Sequence, residues 1–263
     1  MRRLWLILAL CPPLLIAGIN ISPAMAAPAQ AASPQIQAIR TLQHLETVGY
    51  QAGTAFYLYS VLNRDPQQYK KMQGRISAGD ALAQQIANGT VTQKWNEFKR
   101  ALGSAKFTSE GVADNPSINA IDGSLSTLTQ TLRALASEQL KAGQITPDKM
   151  ADMLYEQYVL MQIMTAAYLR QSADYFGGAI VASQGPVVEI DQLADKFSAQ
   201  LAQLNRHYAK NPEISAALKV VTTKWTFVKN SFKNYNKDNV PFIVGRYNEQ
   251  ITEQLLATYE KLL

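Results

Sequence analysis

The sequence predicts an all-α protein with eight long helices arranged as two tandem up-down four-helix bundles. Two observations predict the helices: prolines that follow capping residues at intervals along the chain, and apolar residues spaced three and four positions apart between them. A third observation, an internal repeat, predicts the division into two bundles. Long helices joined by short links favour antiparallel neighbours, as in a bundle.

The prolines mark where helices begin, because the first turn of a helix does not need the missing N–H. The capped prolines are Pro66, Pro116, Pro147 and Pro212, preceded by Asp65, Asn115, Thr146 and Asn211. Thr90 is a further start, since Gly89 can end the preceding helix. The predicted helices cover residues 34–63, 66–88, 90–108, 116–142, 147–177, 186–209, 212–236 and 241–263.

The internal repeat relates the two halves of the chain. Residues 48–58 match residues 159–169 in register at six positions, an offset of 111. Further on, residues 91–95 match residues 221–225 at an offset of 130, and each ends in a tryptophan. The change of offset indicates longer loops or helices within the second copy. The repeat therefore predicts a first four-helix unit at 34–142 and a second at 147–263, related by duplication.

The N-terminal stretch is predicted to be a secretory signal peptide, residues 1–26. Two arginines at positions 2 and 3 precede the apolar run 4–19, and Ala24-Met25-Ala26 offers small residues for cleavage. Residues 27–33 are then a flexible start of the mature protein. This leader predicts a periplasmic location, with secretion beyond the envelope as the alternative. Cys11 is the only cysteine, so the mature chain is predicted to hold no disulfide or thiolate metal site.

Composition and motifs argue against several functions. Lys plus Arg falls from 25 to 23 without the leader, against 20 acidic residues, which does not indicate nucleic-acid binding. No later segment has the apolar run of a transmembrane helix. His44 and His207 are the only histidines, and no metal-ligand cluster, phosphate-binding loop or nucleophile elbow is present in the sequence. The sequence thus predicts a non-catalytic protein without a cofactor, which binds a small molecule or an envelope protein.

Four residues are predicted to bind the small molecule: Gln51, Tyr57, Gln162 and Tyr168. Their residue type and helical phase recur in both copies of the repeat, and each glutamine lies among apolar positions of its helix. A buried glutamine needs hydrogen-bond partners, so it either lines a ligand pocket or is a satisfied core residue. The two repeated tryptophans, Trp95 and Trp225, are in the same way either core anchors or ligand platforms.

The seventh helix carries a basic surface that is the predicted partner-binding site. It comprises Lys219, Lys224, Lys229, Lys233 and Lys237, with no acidic residue between Glu213 and Asp238. These lysines are scattered around the helix, so a solvated basic face is the alternative to contact with an acidic partner or an anionic membrane surface. A structural or adaptor protein of the envelope without a small-molecule ligand is the corresponding alternative function. The sequence does not indicate an oligomeric state.

Residues 156–166 carry a resemblance to a known family. Gln157, Leu160, Gln162 and Met164 fit the first-helix motif of the periplasmic sensor domain of type IV pilus chemotaxis transducers (PilJ) and related nitrate-sensor bundles. The resemblance spans about residues 150–263, and it implies a four-helix sensor bundle that binds a small ligand. Glu156, Tyr158 and Ile163 replace the arginines of that motif, which would grip a small oxyanion, so nitrate is not the expected ligand.

Overall fold

The computed structural model describes residues 33–146, 148–177, 189–235, 237 and 239–262, with the backbone alone for 173–177. The predicted signal peptide, residues 27–32 of the predicted flexible start and the predicted helix start at Pro186 lie outside these residues. Residues from Ser33 to Leu263 belong to one compact unit. Its helices are α1 (Pro34–Val61), α2 (Pro66–Ile86), α3 (Gly89–Gly103), α4 (Asn115–Ala142), α5 (Lys149–Gly177), α6 (Ile190–His207), α7 (Pro212–Lys233) and α8 (Pro241–Tyr259). The all-α prediction is confirmed for the described residues.

The predicted caps are right at two helices and displaced at others. Asp65 and Asn211 accept backbone hydrogen bonds at the starts of α2 and α7, as expected. At α4 the cap is Asp114, one residue before the predicted Asn115. At α5 the carboxylate of Asp148 accepts from the backbone of the first turn, in place of the predicted cap Thr146. A carboxylate competes well for these N–H groups because it also complements the helix dipole.

Two helix ends also differ from the sequence prediction. Ala87, and not Gly89, takes the left-handed conformation that ends α2, and Asn88 then caps α3 through two hydrogen bonds. Helix α3 ends at Gly103 instead of residue 108, because the chain turns back on itself in residues 104–114. There Phe107 and Ala113 form an antiparallel bridge, and Gly111 has a φ of 84°, which favours glycine.

The helices pack with the same neighbours in both halves of the chain. Helix α1 contacts α2 and α4, and α3 contacts the same two; α5 contacts α6 and α8, and α7 contacts the same two. Helix α1 also contacts α5 and α8, so it is buried on almost every side between Thr41 and Leu58. Gly49 and Gly53 help α4 to approach α1, since a Cβ on either would lie 3.2–3.5 Å from a methyl group of Leu125.

The two repeated tryptophans occupy matching places. Trp95 of α3 is buried and its Nε1 donates to Asp80 of α2 at 2.7 Å. Trp225 of α7 is buried as well, and its Nε1 donates to Ser198 of α6 at 3.1 Å. Each indole therefore packs against the preceding helix with its polar atom satisfied, which makes both tryptophans core anchors.

Candidate functional site

The four residues predicted to bind a ligand are all buried in the helical core. Gln51 and Tyr57 lie on α1, whereas Gln162 and Tyr168 lie on α5. The hydroxyl of Tyr57 donates to Asp122 of α4, and that of Tyr168 accepts from the backbone N–H of Val240, just before α8, at 2.9 Å. Both tyrosines therefore tie their helices to the fourth helix of their own half.

Gln162 lies in a polar spot inside the core between α5 and α8. Its Oε1 accepts from Nδ2 of Asn248 at 3.1 Å, and both side chains are fully buried. Within the described residues, Asn248 Oδ1 and the hydroxyl of the nearby Thr165 have no hydrogen-bond partner, whereas the Gln162 side chain also bonds to the hydroxyl of Tyr158. The amide of Gln162 thus has partners inside the core, which is the arrangement of a core residue, and ligand binding by Gln162 stays a prediction.

A charged cluster, which the sequence analysis did not identify, joins α1, α4 and α5. We call it the junction network: Glu46, Tyr50, Arg133 and Tyr155. Glu46 is 1% exposed, and its Oε1 lies 2.6 Å from Nη2 and 2.7 Å from Nε of Arg133. Its Oε2 accepts from the hydroxyl of Tyr155 at 2.5 Å, and Nη2 of Arg133 also donates to the hydroxyl of Tyr50 at 3.2 Å.

The electrostatics of the junction network follow from burial. Burial raises the pKa of Glu46, while the charge of Arg133 and the hydrogen bonds from Tyr155 and Arg133 act in the opposite direction. Burial and the Glu46 charge raise the pKa of Tyr155 well above its ordinary value, so this phenol is a donor at neutral pH. Both Glu46 oxygens thus have hydrogen-bond partners on neighbouring helices. The network therefore has a structural role and stabilises the contacts of α1 with α4 and α5.

A second ion pair fastens α5 to α4. Asp122, whose pKa is raised by burial, accepts from Tyr57 and lies 2.9 Å from Nη1 of Arg170. Nη2 of Arg170 also donates to Asn119 at 2.9 Å. Together with the junction network, this pair holds α5 against α1 and α4.

An open cleft of about 250 Å³ lies between α1, α2 and α8; we call it the α2/α8 cleft. Its apolar wall consists of Leu58, Phe242 and Gly245. Gly245 permits the close approach of α8 to α1, because a Cβ there would lie 2.7 Å from Leu58 Cδ1. The cleft therefore forms where a helix of the second half meets two helices of the first half.

The polar lining of the α2/α8 cleft contains positively and negatively charged side chains and two glutamines. It consists of Gln68, Lys71, Arg246, Glu249 and Gln250. Lys71 Nζ lies 3.5 Å from Glu249 Oε2, while within the described residues Arg246 makes no ion pair. Gln68 is 3% exposed, and its Oε1 has no hydrogen-bond partner in the part of the chain that the structure describes. This oxygen is shielded from solvent, so the charged groups that line the open cleft are Lys71, Arg246 and Glu249.

A second groove, of about 380 Å³, lies between the start of α1 and the ends of α2 and α4. Its lining includes Pro34, Leu42, Ile86 and Leu135, and none of the described lining residues is charged. It offers amide and apolar contacts without the paired charges of the α2/α8 cleft, and is the weaker candidate for specific recognition.

The predicted lysine surface on α7 is partly engaged within the chain. Lys233 lies 2.6 Å from Asp195 of α6, and Lys224 donates to Gln250 of α8 at 2.5 Å. Lys219 and Lys237 are exposed and Lys229 is half-buried, so the five lysines do not form one face.

Apolar side chains are exposed beside these lysines. Phe227 is 64% exposed and stacks on Tyr247 of α8 at a centroid distance of 4.8 Å. Val220, two turns earlier on α7, is 42% exposed. We call Val220, Phe227 and Tyr247 the aromatic patch.

The comparisons with known proteins do not add a family. No protein-family model matches the chain, and comparisons with curated proteins and with solved structures gave no significant match. Among the described residues, no group of three or more histidine, cysteine, aspartate or glutamate side chains is placed to hold a metal ion. None of the described helices has the length and apolar character required to cross a membrane.

Proposed function

We propose that the protein is a non-catalytic, sensor-like component of the periplasm that binds a small molecule in the α2/α8 cleft. Helices α1–α4 and α5–α8 would act as two tandem four-helix bundles, the second similar to the PilJ-type sensor domain. The observation that carries the proposal is the lining of this cleft, where Arg246, which makes no ion pair among the described residues, lies with Lys71 and Glu249.

The lining of the cleft suits recognition better than catalysis. Its described residues include no histidine, cysteine or hydroxyl group, so it lacks the side chains that most often act as nucleophiles or exchange protons at neutral pH. Its charged groups stand on long helices, which fix their positions better than loops would. Because α1 and α2 bound the cleft on one side and α8 on the other, a bound molecule would add contacts between the two halves.

Ligand binding is expected to raise the melting temperature of the purified protein. A panel of nitrate, amino acids, polyamines and aromatic acids is screened by thermal shift. A ligand at 100 times its Kd adds about 2.7 kcal/mol of stability, and roughly 5–10 °C for a chain of this size. Arg246→Gln is expected to abolish most of the shift in melting temperature. The control is Lys70→Gln, which changes the exposed residue next to Lys71 on α2 and is expected to retain the shift. A panel without any shift, or a shift unchanged by Arg246→Gln, would count against the proposal.

The aromatic patch supports a second candidate function, that of an envelope adaptor without a small-molecule ligand. An exposed aromatic stack is typical of a protein-binding surface. On this reading, Phe227→Ser is expected to reduce capture of a partner from envelope extract at least about tenfold, since central aromatic residues often dominate an interface. The matched control is Tyr69→Ser, which changes an exposed aromatic residue outside the aromatic patch, on α2. Equal capture by Phe227→Ser and wild type would exclude this patch.

A further inference from the structure

We propose that the ligand of the α2/α8 cleft is a zwitterion of the amino-acid type, with a carboxylate and an ammonium group on one small molecule. The inference rests on the proposed function and names its ligand class. It follows from three properties of the lining: a guanidinium without an ion pair among the described residues, an amide that can turn its oxygen toward the cleft, and a carboxylate held only loosely by a lysine.

The guanidinium of Arg246 provides the place for the carboxylate. Its planar fork of N–H donors fits a carboxylate bidentately, and within the described residues no acidic side chain occupies it. Lys71 lines the same cleft and adds a second positive charge. The cationic side of the cleft therefore selects an anionic group.

The acceptors Gln68 and Glu249 provide the place for the ammonium group. Gln68 Oε1 lacks a donor, and a half-turn of this amide exchanges its oxygen and nitrogen, which brings the acceptor toward the ligand. Glu249 is 3.5 Å from Lys71, a long and half-exposed contact that leaves its oxygens able to accept further hydrogen bonds. An ammonium group supplies three donors and a positive charge to these acceptors, which a simple anion does not.

The apolar wall and the volume limit the size of the ligand. Leu58 and the 46% exposed ring of Phe242 offer contacts to an aliphatic or aromatic side chain. The volume of about 250 Å³ corresponds to roughly eight water molecules at their share of liquid volume, which is room for one amino acid. The geometry thus fits a free amino acid or a close analogue.

The test compares matched ligands by isothermal titration calorimetry on the purified protein. The probes are L-amino acids with small, aliphatic and aromatic side chains, the corresponding carboxylic acids without the amino group, and the corresponding amines without the carboxylate. At least one amino acid is expected to bind at least about tenfold more tightly than either of its halves, since each half loses a charge-assisted contact.

Two variants place the amino acid in the cleft. Gln68→Met removes the unpaired acceptor and Arg246→Gln removes the guanidinium, and each is expected to weaken binding at least about tenfold while Lys70→Gln does not. Arg246 is exposed, so this variant tests the inference even if Gln68→Met perturbs folding. Acids or amines that bind as tightly as the amino acid, with the same sensitivity to Arg246→Gln, would overturn the zwitterion but keep the cleft as a binding site. Binding unaffected by both variants would remove the cleft as well.

Discussion

Arg133→Met is expected to lower the free energy of unfolding by about 2–4 kcal/mol at pH 7.5, as measured by urea denaturation. The substitution keeps the length of the side chain but leaves the Glu46 carboxylate buried with only the Tyr155 hydroxyl as a partner. Removing one member of a buried pair typically costs about 3–5 kcal/mol, and the 39% exposure of the Arg133 side chain reduces that figure.

The stability that Arg133→Met loses relative to wild type should depend on pH in a defined direction. Burial raises the pKa of Glu46, and loss of Arg133 removes the charge that opposes this effect. A carboxyl group with a raised pKa in the folded state contributes stability that is fully present below its unfolded pKa and is lost as the pH rises through its folded pKa. The deficit relative to wild type is therefore largest at pH 7.5 and smaller at pH 5, where protonation neutralises the stranded carboxylate.

Two further variants separate the loss of the ion pair from other causes of the reduced stability. Arg75→Met, on the half-exposed face of α2, is expected to change the free energy of unfolding by less than about 0.5 kcal/mol. The double variant Glu46→Leu/Arg133→Met should recover most of the lost stability, because apolar residues replace a buried pair at little net cost. A double variant as unstable as Arg133→Met alone would show that the arginine acts through packing and not through Glu46.

The helices could be predicted from the sequence because their signals are local. A capping side chain, a proline in the first turn and an apolar stripe lie within a few residues of one another, so α2, α7 and α8 begin at the predicted prolines. The helix ends that differ from the prediction do so because other residues compete with the predicted local signals. Asp114 and Asp148 compete as caps with their neighbours. Helix α3 stops early because residues 104–114 fold into a short bridged turn, which the apolar spacing does not indicate.

The candidate site could not be predicted because its residues come from distant parts of the chain. Gln68 and Lys71 of α2 meet Arg246 of α8 only through the packing of α1 between the two halves, and each residue alone resembles an ordinary surface side chain. The junction network offered one local signal. Glu46 lies within a run of residues on α1 that are otherwise uncharged and mostly apolar, between Leu45 and Leu58, where an acid must find a partner if the helix is buried.

Gly79→Ala is expected to lower the free energy of unfolding by about 2–4 kcal/mol, although alanine is intrinsically better than glycine in a helix by about 1 kcal/mol. A Cβ at position 79 would lie 2.1 Å from Cζ2 and 2.3 Å from Cη2 of Trp95, far inside van der Waals contact. The indole has little freedom to move away. It is 1% exposed, its Nε1 is bonded to Asp80, and its ring packs against Phe98.

Gly74→Ala provides the matched control on the same helix. No atom lies within 4 Å of a Cβ at position 74, so this variant is expected to be more stable than wild type by about 0.5–1 kcal/mol. Melting temperatures of the two variants should therefore move in opposite directions. If both rise, the indole does not pack against α2 as described. Because α2 also carries Gln68 and Lys71, the displacement of this helix by Gly79→Ala is further expected to weaken ligand binding in the α2/α8 cleft, whereas Gly74→Ala leaves it unchanged.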